Sequence, residues 1–286
     1  MRFELVFPDA VDPSLSRSDH ESLPQQALME MVINEITNKD EICRDVNEPK
    51  DIEEWQGMTI EDGEVVEIDW EQLYLEGSLH LAWLPRSVGK FTVFFNQFSG
   101  TLNWASLPTS LKTLDLAVNN FTGPICLDRL PESMKYLSVF HNQLSGSLKL
   151  KSLPCTVTLF DTSENKFSGT IDLTQFPAAV LHLGFADNRL SGSIVLTQLP
   201  SSLEELYLSK NQFGGPLDLT RLPRNMSNLR LDNNSFCGKV NLSQLPQRLK
   251  LLTLSDNELS GEVFISDALF DTVDAENTKI IKRHIG

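Results

Sequence analysis

Apolar and polar residues recur with a period of 23 residues along most of this chain. Prolines that follow a leucine or a phenylalanine keep this spacing at Pro85, Pro108, Pro131, Pro154, Pro177, Pro200, Pro223 and Pro246. Eleven residues after each proline comes an asparagine: Asn96, Asn119, Asn142, Asn165, Asn188, Asn211, Asn234 and Asn257. Four residues later comes a glycine: Gly100, Gly123, Gly146, Gly169, Gly192, Gly215, Gly238 and Gly261. Eight copies without an insertion predict a stack of equal structural units.

The segment LxLxx in each unit has a period of two, which is typical of a short strand. One unit cannot bury its leucines alone, but stacked units form a parallel sheet over a continuous core. The chain must turn inward after the strand, and a buried carboxamide there can pair with backbone groups that lack a sheet partner. The Leu-Pro step forces an extended connector and stops a helix from growing. We therefore expect irregular, 3₁₀ or short β structure on the convex side.

The consensus LxxLxLxxNxFSGxIxLxxLPxx resembles the leucine-rich repeat, and within that family the plant-type class with its (S/T)G-x-(I/L) segment. The resemblance implies an α/β-type repeat solenoid, shaped as a horseshoe or right-handed β-α superhelix. It further implies a concave parallel β-sheet, a mostly irregular convex side and a helical N-terminal cap. The eight repeat asparagines are expected to form a structural ladder inside the stack.

The chain is predicted to have four segments. They are a mobile acidic leader (1–20), a helical N-terminal cap (21–64), the solenoid (65–270, a degenerate unit at 65–84 and then eight units of 23 residues), and a C-terminal cap and tail (271–286). The degenerate unit has Leu73 in place of the ladder asparagine, as expected of a terminal repeat. Within the last segment, the basic stretch Lys279–His284 is predicted to be a solvated tail.

The charge balance argues against polyanionic partners. The chain has 24 Lys and Arg against 39 Asp and Glu, a net charge of −15, which repels nucleic acids and anionic lipids. An apolar run of about 18 residues is missing, so no membrane insertion is expected. The opening residues do not have the pattern of a secretory signal. The spacing of Cys43, Cys126, Cys155 and Cys237 predicts neither a zinc site nor a redox motif. We therefore expect reduced thiols and an intracellular, cytoplasmic location.

The sequence predicts no catalytic residue, cofactor or metal site. His141 and His182 lie two units apart, which is about 10 Å in a parallel sheet and too far for a shared metal or hydrogen bond. Asp161 and Glu164 are neighbours in one unit, but we expect them on an open, wet surface where no pocket shifts a pKa. We therefore predict that the chain is not an enzyme.

Residues between the buried leucines should line the concave sheet and remain exposed. One candidate contact surface gathers on the first three full units: Phe94, Phe95, Val118, Tyr136, Phe140 and His141. Exposed aromatic residues in a patch usually mark an interface, although the N-terminal cap or leader could instead cover this one. A second, mixed-charge group suits hydrogen-bonded recognition: Tyr207, Lys210, Arg230 and Asp232, beside Glu205 and Asn233.

The sequence thus predicts a non-enzymatic scaffold that binds a partner protein on its concave face. One alternative is a secreted or cell-surface recognition ectodomain, for which the sequons at Asn120, Asn225, Asn233 and Asn241 would permit glycans. Another alternative is the regulatory subunit of an enzyme complex. The identity of the protein partner is not encoded in these patterns.

Overall fold

The computed structural model describes residues 23–45 and 50–284 of the chain. The predicted leader, residues 1–20, lies outside these ranges. The α-helices of the described part are short: α1 (Gln25–Val32), α2 (Asp40–Cys43) and α3 (Asp267–Phe270). None of the helices within these ranges has the length and apolarity needed to cross a membrane.

Strands dominate the described part and form two long sheets. Their bounds are β1 (Met58–Glu61), β2 (Glu64–Asp69), β3 (Glu76–Gly77), β4 (Lys90–Thr92), β5 (Gln97–Thr101), β6 (Thr113–Asp115), β7 (Asn120–Gly123), β8 (Tyr136–Ser138), β9 (Gln143–Gly146), β10 (Leu159–Asp161), β11 (Lys166–Gly169), β12 (His182–Gly184), β13 (Arg189–Gly192), β14 (Glu205–Tyr207), β15 (Gln212–Gly215), β16 (Asn228–Arg230), β17 (Ser235–Lys239), β18 (Leu251–Thr253), β19 (Glu258–Ile265), β20 (Val273–Asp274) and β21 (Lys279–His284).

The concave sheet has eleven strands in the order β1-β2-β4-β6-β8-β10-β12-β14-β16-β18-β20. A flanking sheet has ten strands in the order β21-β19-β17-β15-β13-β11-β9-β7-β5-β3. Successive repeats pair in parallel, as β6 and β8 do, whereas β1 pairs antiparallel with β2. This arrangement confirms the predicted repeat solenoid with a parallel concave sheet.

The period-two pattern buries the central side chain of each three-residue concave strand. In β6, Leu114 is fully buried between two half-buried neighbours, and it lies opposite Leu137 of the next repeat. After each turn, a second apolar side chain enters the core from the flanking sheet. Phe98 and Phe121 are both fully buried there, and their ring centroids stack 6.1 Å apart. Burial of these columns against the next repeat makes one continuous core.

The repeat asparagines tie each turn to the previous repeat. In all eight, Oδ1 accepts a hydrogen bond of 2.9–3.1 Å from a backbone N–H of the preceding repeat. Nδ2 donates to a second backbone group of that repeat, a carbonyl 2.7–3.0 Å away. The same amide also donates to carbonyls of its own turn, as Asn165 does to Thr162 and Ser163. Each side chain therefore satisfies backbone groups that neither sheet can pair.

The repeat glycines lie in the strands of the flanking sheet and have an unusual backbone conformation. All eight have φ between 85° and 110°, a left-handed region that residues with a Cβ avoid. At Gly192 an added Cβ would also come within 2.9 Å of the Thr170 side chain. The glycine column is therefore set by backbone conformation, and at Gly192 also by close contact with the preceding repeat.

The convex side carries short 3₁₀ turns where the sequence predicts no α-helix. They lie at Leu81–Trp83, Leu127–Arg129 and Leu150–Ser152. Two residues after the repeat proline, a hydroxyl donates to backbone carbonyls of the preceding repeat. Residues with this contact are Ser110, Ser133, Thr156 and Ser202. These bonds form a second, smaller ladder on the convex side.

The N-terminal cap is only partly helical. A 3₁₀ turn at Ile52–Glu54 follows the two helices, and β1 then adds an antiparallel strand to the edge of the concave sheet. The prediction of a helical cap through residue 64 is therefore wrong for its last part, because the sheet edge leaves backbone groups that a strand can pair. Asn38 stands near the missing ladder position at Leu73: it donates to the Tyr74 carbonyl (3.1 Å) and accepts from the Glu76 N–H (2.9 Å).

The C-terminal segment completes the flanking sheet. The predicted solvated tail Lys279–His284 is strand β21, and all six of its residues pair in parallel with β19. The prediction of a tail is therefore wrong, because Ile280 packs against the core and the strand covers an otherwise open sheet edge. Four of its six residues are nevertheless exposed, as predicted. The basic side chains have partners here: Arg283 Nε donates to Glu262 (2.7 Å), and Lys282 Nζ lies 4.4 Å from the Phe270 ring centroid.

We predict that Asn165→Ala destabilises the protein by about 2–3 kcal/mol, because it leaves the Leu144 N–H and the Val139 carbonyl buried without a partner. Urea unfolding of the full chain measures this loss. Asn120→Ala is the matched control, since Asn120 is an exposed asparagine of the flanking sheet, and it should change stability by less than about 0.5 kcal/mol. Equal stability of the two variants would contradict the ladder's role.

Candidate binding surface on the concave sheet

The concave positions are less exposed than the sequence suggested. Six of the small residues predicted to be exposed there are buried: Thr92, Ala117, Ser138, Ser163, Ser209 and Ser255. Strands lie about 4.8 Å apart, so larger side chains on neighbouring strands cover a small one between them. The surface offered to a partner therefore consists mainly of the larger side chains.

The first predicted group divides into two parts. Phe94 and Phe95 have ring centroids 6.2 Å apart, and Phe140 and His141 have centroids 5.9 Å apart. Buried Ala117 occupies the position between Phe94 and Phe140, one repeat from each. A small buried residue therefore separates the two ring pairs.

Tyr136 is not part of either ring pair; it makes a polar contact within the sheet. Its hydroxyl donates to Asp115 Oδ2 at 3.2 Å. Burial, together with the neighbouring Asp115 carboxylate, raises the pKa of Tyr136 to about 12. Burial likewise raises the pKa of Asp115 above its ordinary value. The tyrosine hydroxyl is thus engaged within the sheet, while its ring remains half-buried.

The residue before each ladder asparagine has a left-handed backbone. Phe95 and Val118 both have φ of 56°, and His141 has φ of 52°. Asn233 occupies the same position with φ of 53°, and asparagine tolerates this conformation well. A β-branched residue such as Val118 is strained there. The side chains of Phe95 and Val118 thus lie at the edge of the concave sheet although their residue types disfavour this backbone conformation.

A groove joins the two predicted groups. It has a volume of about 520 Å³, and Phe140 of the first group lines it together with Tyr207, Lys210, Arg230 and Asp232 of the second. Further lining residues are Asp161, Ser163, Glu164, Ala186, Asp187, Ser209, Leu251, Thr253, Ser255 and Asp274. The structure thus brings Phe140 into one surface with the mixed-charge group, whereas Phe94, Phe95, Val118, Tyr136 and His141 lie outside the groove lining.

His182 is the centre of a polar network beside the groove. Its Nδ1 lies 2.9 Å from Glu205 Oε2, and its Nε2 lies 3.7 Å from Asp161 Oδ2. Glu205 also accepts from the Tyr207 hydroxyl (2.9 Å) and from Asn228 Nδ2 (2.7 Å). The His182 side chain is only 17% exposed. Four successive repeats therefore contribute to one connected set of side chains.

The network shifts the ionisation of its members. Burial disfavours the His182 imidazolium, but the carboxylates of Asp161 and Glu205 outweigh it, and the pKa of His182 is raised above its ordinary value of 6.5. Burial likewise opposes ionisation of Asp161, yet hydrogen bonding with His182 and Ser163 lowers its pKa overall. The expectation that Asp161 lies on an open, wet surface is therefore wrong. The arrangement favours the charged form of His182 between the two carboxylates.

Gly184 makes room for this network. A Cβ on Gly184 would overlap the Asp161 carboxylate and the Ser163 hydroxyl. Because glycine lacks that atom, Asp161 can extend across the next strand towards His182. This network was not predicted from the sequence. The 23-residue spacing could have revealed it, because Asp161 and Gly184 occupy equivalent positions of adjacent repeats, and so do His182 and Glu205.

Arg230 lies over the Tyr207 ring, with its guanidinium carbon 4.9 Å from the ring centroid. Tyr207 also packs edge-on against His182, with centroids 5.0 Å apart. Burial and the Glu205 contact raise the pKa of Tyr207 to about 12. Arg230 makes no ion pair within the described part of the chain, so its guanidinium is positioned by stacking. In residues 23–45 and 50–284 no group of three or more His, Cys, Asp and Glu side chains is arranged to hold a metal ion.

Comparison with known proteins identifies the repeat and the fold. A family model described as Leucine Rich Repeat matches residues 202–222. A search of curated protein sequences returns no match. The structure is similar to that of the leucine-rich-repeat ectodomain of the plant membrane receptor kinase GASSHO1/SCHENGEN3 from Arabidopsis thaliana, in complex with CASPARIAN STRIP INTEGRITY FACTOR 2. The TM-score is 0.65 at 20% identity, over 90% of this chain and 36% of that chain.

Two further structures show how widely the fold occurs. The ectodomain of the Arabidopsis receptor kinase HAESA, in complex with an N-terminally extended IDA peptide hormone ligand, matches with a TM-score of 0.61 at 20% identity, over 91% of this chain and 49% of that chain. A plant ice-binding protein matches with a TM-score of 0.62 at 16% identity, over 92% of this chain and 95% of that chain. The chain thus spans about a third to a half of the two receptor ectodomains.

We predict that His182 titrates above pH 6.5 in the folded protein, because two carboxylates hold its charged form. The stability that this contact contributes is complete below the unfolded pKa and is lost as pH rises through the folded pKa. Histidine NMR titration measures the pKa, and urea unfolding across the same pH range measures the loss of stability.

Glu205→Gln should lower the His182 titration midpoint, since it removes one anion. His141→Gln is the matched control, because His141 is an exposed histidine of the same concave surface and should leave that midpoint unchanged. A His182 midpoint at or below 6.5 would contradict the network.

Proposed function

Because the chain is a leucine-rich-repeat solenoid, we propose that it binds an extended segment of a partner protein on its concave sheet and catalyses no reaction. The observation that carries this proposal is the groove that joins Phe140 to Tyr207, Lys210, Arg230 and Asp232. A groove lined by both aromatic and charged side chains offers apolar anchoring together with directional hydrogen bonds.

The length of the groove suits an extended polypeptide. Its lining runs from Phe140, beside β8, to Asp274 of β20. Seven strands of the concave sheet cover that stretch, which is roughly 29 Å or about nine residues of extended chain. A segment of that length, lying across the strands, would contact each repeat with one or two side chains.

The rigidity of the surface also supports binding. The asparagine ladder fixes the backbone at the end of each concave strand, and the His182 network fixes side chains beside the groove. A surface that is already ordered loses little entropy when a partner binds. Two of the similar structures named above are described as complexes, one of them with a peptide hormone ligand.

We predict that the double variant Phe94→Ala, Phe140→Ala weakens capture of the native partner by at least about tenfold, since aromatic anchors contribute about 1–2 kcal/mol or more each. The full chain serves as bait in affinity purification from its native source, followed by quantitative mass spectrometry. Phe264→Ala is the control, because Phe264 is a phenylalanine of the flanking sheet that is 53% exposed.

The melting temperature should remain unchanged in both variants, because Phe94 and Phe140 lie on the surface of the sheet and outside its buried core. Undiminished capture by the double variant would remove these rings from the binding surface. An enzyme that co-purifies in fixed ratio would favour the regulatory-subunit alternative.

A second candidate, a cell-surface recognition ectodomain, is favoured by the likeness to receptor ectodomains. The asparagines of all four sequons, Asn120, Asn225, Asn233 and Asn241, are exposed and could accept glycans. The intracellular scaffold is instead supported by the cysteines, since Cys43, Cys126, Cys155 and Cys237 are all free thiols.

Glycosidase treatment of native material distinguishes these two versions. We predict a downward mass shift for the ectodomain, abolished by Asn→Gln changes at the four sequons. An intracellular scaffold shows no shift, and all four cysteines react with a thiol reagent after unfolding without a reductant. A glycan-free chain with fewer than four reactive thiols would contradict both versions.

A further inference from the structure

The groove on the concave sheet has an uneven charge. Five carboxylates line it, against two permanent cations, Lys210 and Arg230. The carboxylates are Asp161, Glu164, Asp187, Asp232 and Asp274. A groove with low-dielectric walls concentrates the field of such a charge surplus.

Three of the five carboxylates already have a partner. Asp161 faces His182, Glu164 Oε2 lies 2.5 Å from His141 Nδ1, and Asp187 Oδ2 lies 3.7 Å from Lys210 Nζ. These contacts engage all three carboxylates with partners inside the protein. The carboxylates available to a partner therefore lie further along the stack.

The two groove carboxylates without such a partner are Asp232 and Asp274. Asp232 accepts only neutral donors, the Thr253 hydroxyl and Asn233 Nδ2. Asp274 accepts the backbone N–H of Glu276 at 3.0 Å. Neither makes an ion pair within the described part of the chain. Both carboxylates are thus oriented by hydrogen bonds but lack a neutralising cation.

We propose that the partner segment is basic: it places two Lys or Arg side chains at Asp232 and Asp274 and an apolar side chain against Phe140. This inference rests on the proposed function and names the chemistry of the partner. Charge complementarity selects the occupant, since a carboxylate that lacks a paired cation gains most from a cationic ligand.

The positions of these residues set a spacing in the partner. Phe140 and Asp232 are four strand spacings apart, roughly 19 Å or about six residues of extended chain. Asp232 and Asp274 are two spacings apart, roughly 10 Å or about three residues. The segment should therefore carry an apolar residue, a basic residue about six positions away, and a second basic residue about three positions further on.

Segments of this chain do not suit the groove. Residues 1–22 contain five acids and two arginines, so an acidic groove repels them. A second copy of the chain carries the same net charge of −15. The charge therefore favours a different protein as the partner.

Three synthetic peptides of about twelve residues test the proposal, with a phenylalanine and two variable positions at the spacing given above. The variable positions hold lysine, glutamine or glutamate. Binding to the full chain is measured by fluorescence anisotropy at low and high ionic strength. The lysine peptide should bind about tenfold more tightly than the glutamine peptide, and added salt should reduce the difference.

Neutral variants of the protein complete the test. Asp232→Asn with Asp274→Asn should abolish the preference for lysine over glutamine. Asp172→Asn with Asp218→Asn removes the same charge from two aspartates outside the groove, both exposed, and should retain the preference. Amide shifts in NMR spectra locate the bound peptide.

Each outcome separates the charge inference from the function it rests on. Equal binding of the lysine and glutamine peptides, with shifts on the concave sheet, overturns the charge inference and leaves the proposed function standing. Absence of lysine-peptide binding at about 1 mM also overturns the charge inference. Partner capture that survives Phe94→Ala with Phe140→Ala, together with no peptide shifts on the concave sheet, overturns the proposed function itself.

Discussion

The hydrogen bonds of the repeat asparagines are the constraint on which the structure depends. A chain that turns inward after every short strand leaves backbone N–H and carbonyl groups inside the stack, away from water. A carboxamide both donates and accepts, and each repeat asparagine uses both functions on the preceding repeat. A carboxylate only accepts and an apolar side chain does neither, so neither of these could meet both needs. The ladder thereby fixes how each repeat aligns with the preceding one.

The strict period of 23 residues also organises the surface. Residues at equivalent positions lie opposite one another in β10, β12 and β14, so side chains 23 residues apart become neighbours. This is how His182 meets Glu205 from the next repeat, and how Gly184 leaves space for Asp161. The rigid stack that satisfies the backbone thereby also holds polar side chains in fixed positions along a groove.

The fold alone does not decide what the groove binds. Receptor ectodomains and an ice-binding protein have similar folds at 16–20% identity, yet their described roles differ. The difference must lie in the side chains that each stack presents. In this chain the presented side chains are aromatic near Phe140 and acidic near Asp232 and Asp274, and the proposed partner chemistry follows from them.

The sequence by itself determined the repeat, the parallel sheet and the irregular convex side, because these depend on periodic patterns that every unit carries. It failed at the two ends, where β1 and β21 pair with open sheet edges: an edge strand is selected by a neighbour distant in sequence and has no periodic signal. It also named Phe140 and Asp232 without joining them, and treated Asp161 as exposed. Only the tertiary structure decided those contacts, since burial and pairing between side chains depend on which residues of adjacent repeats cover one another.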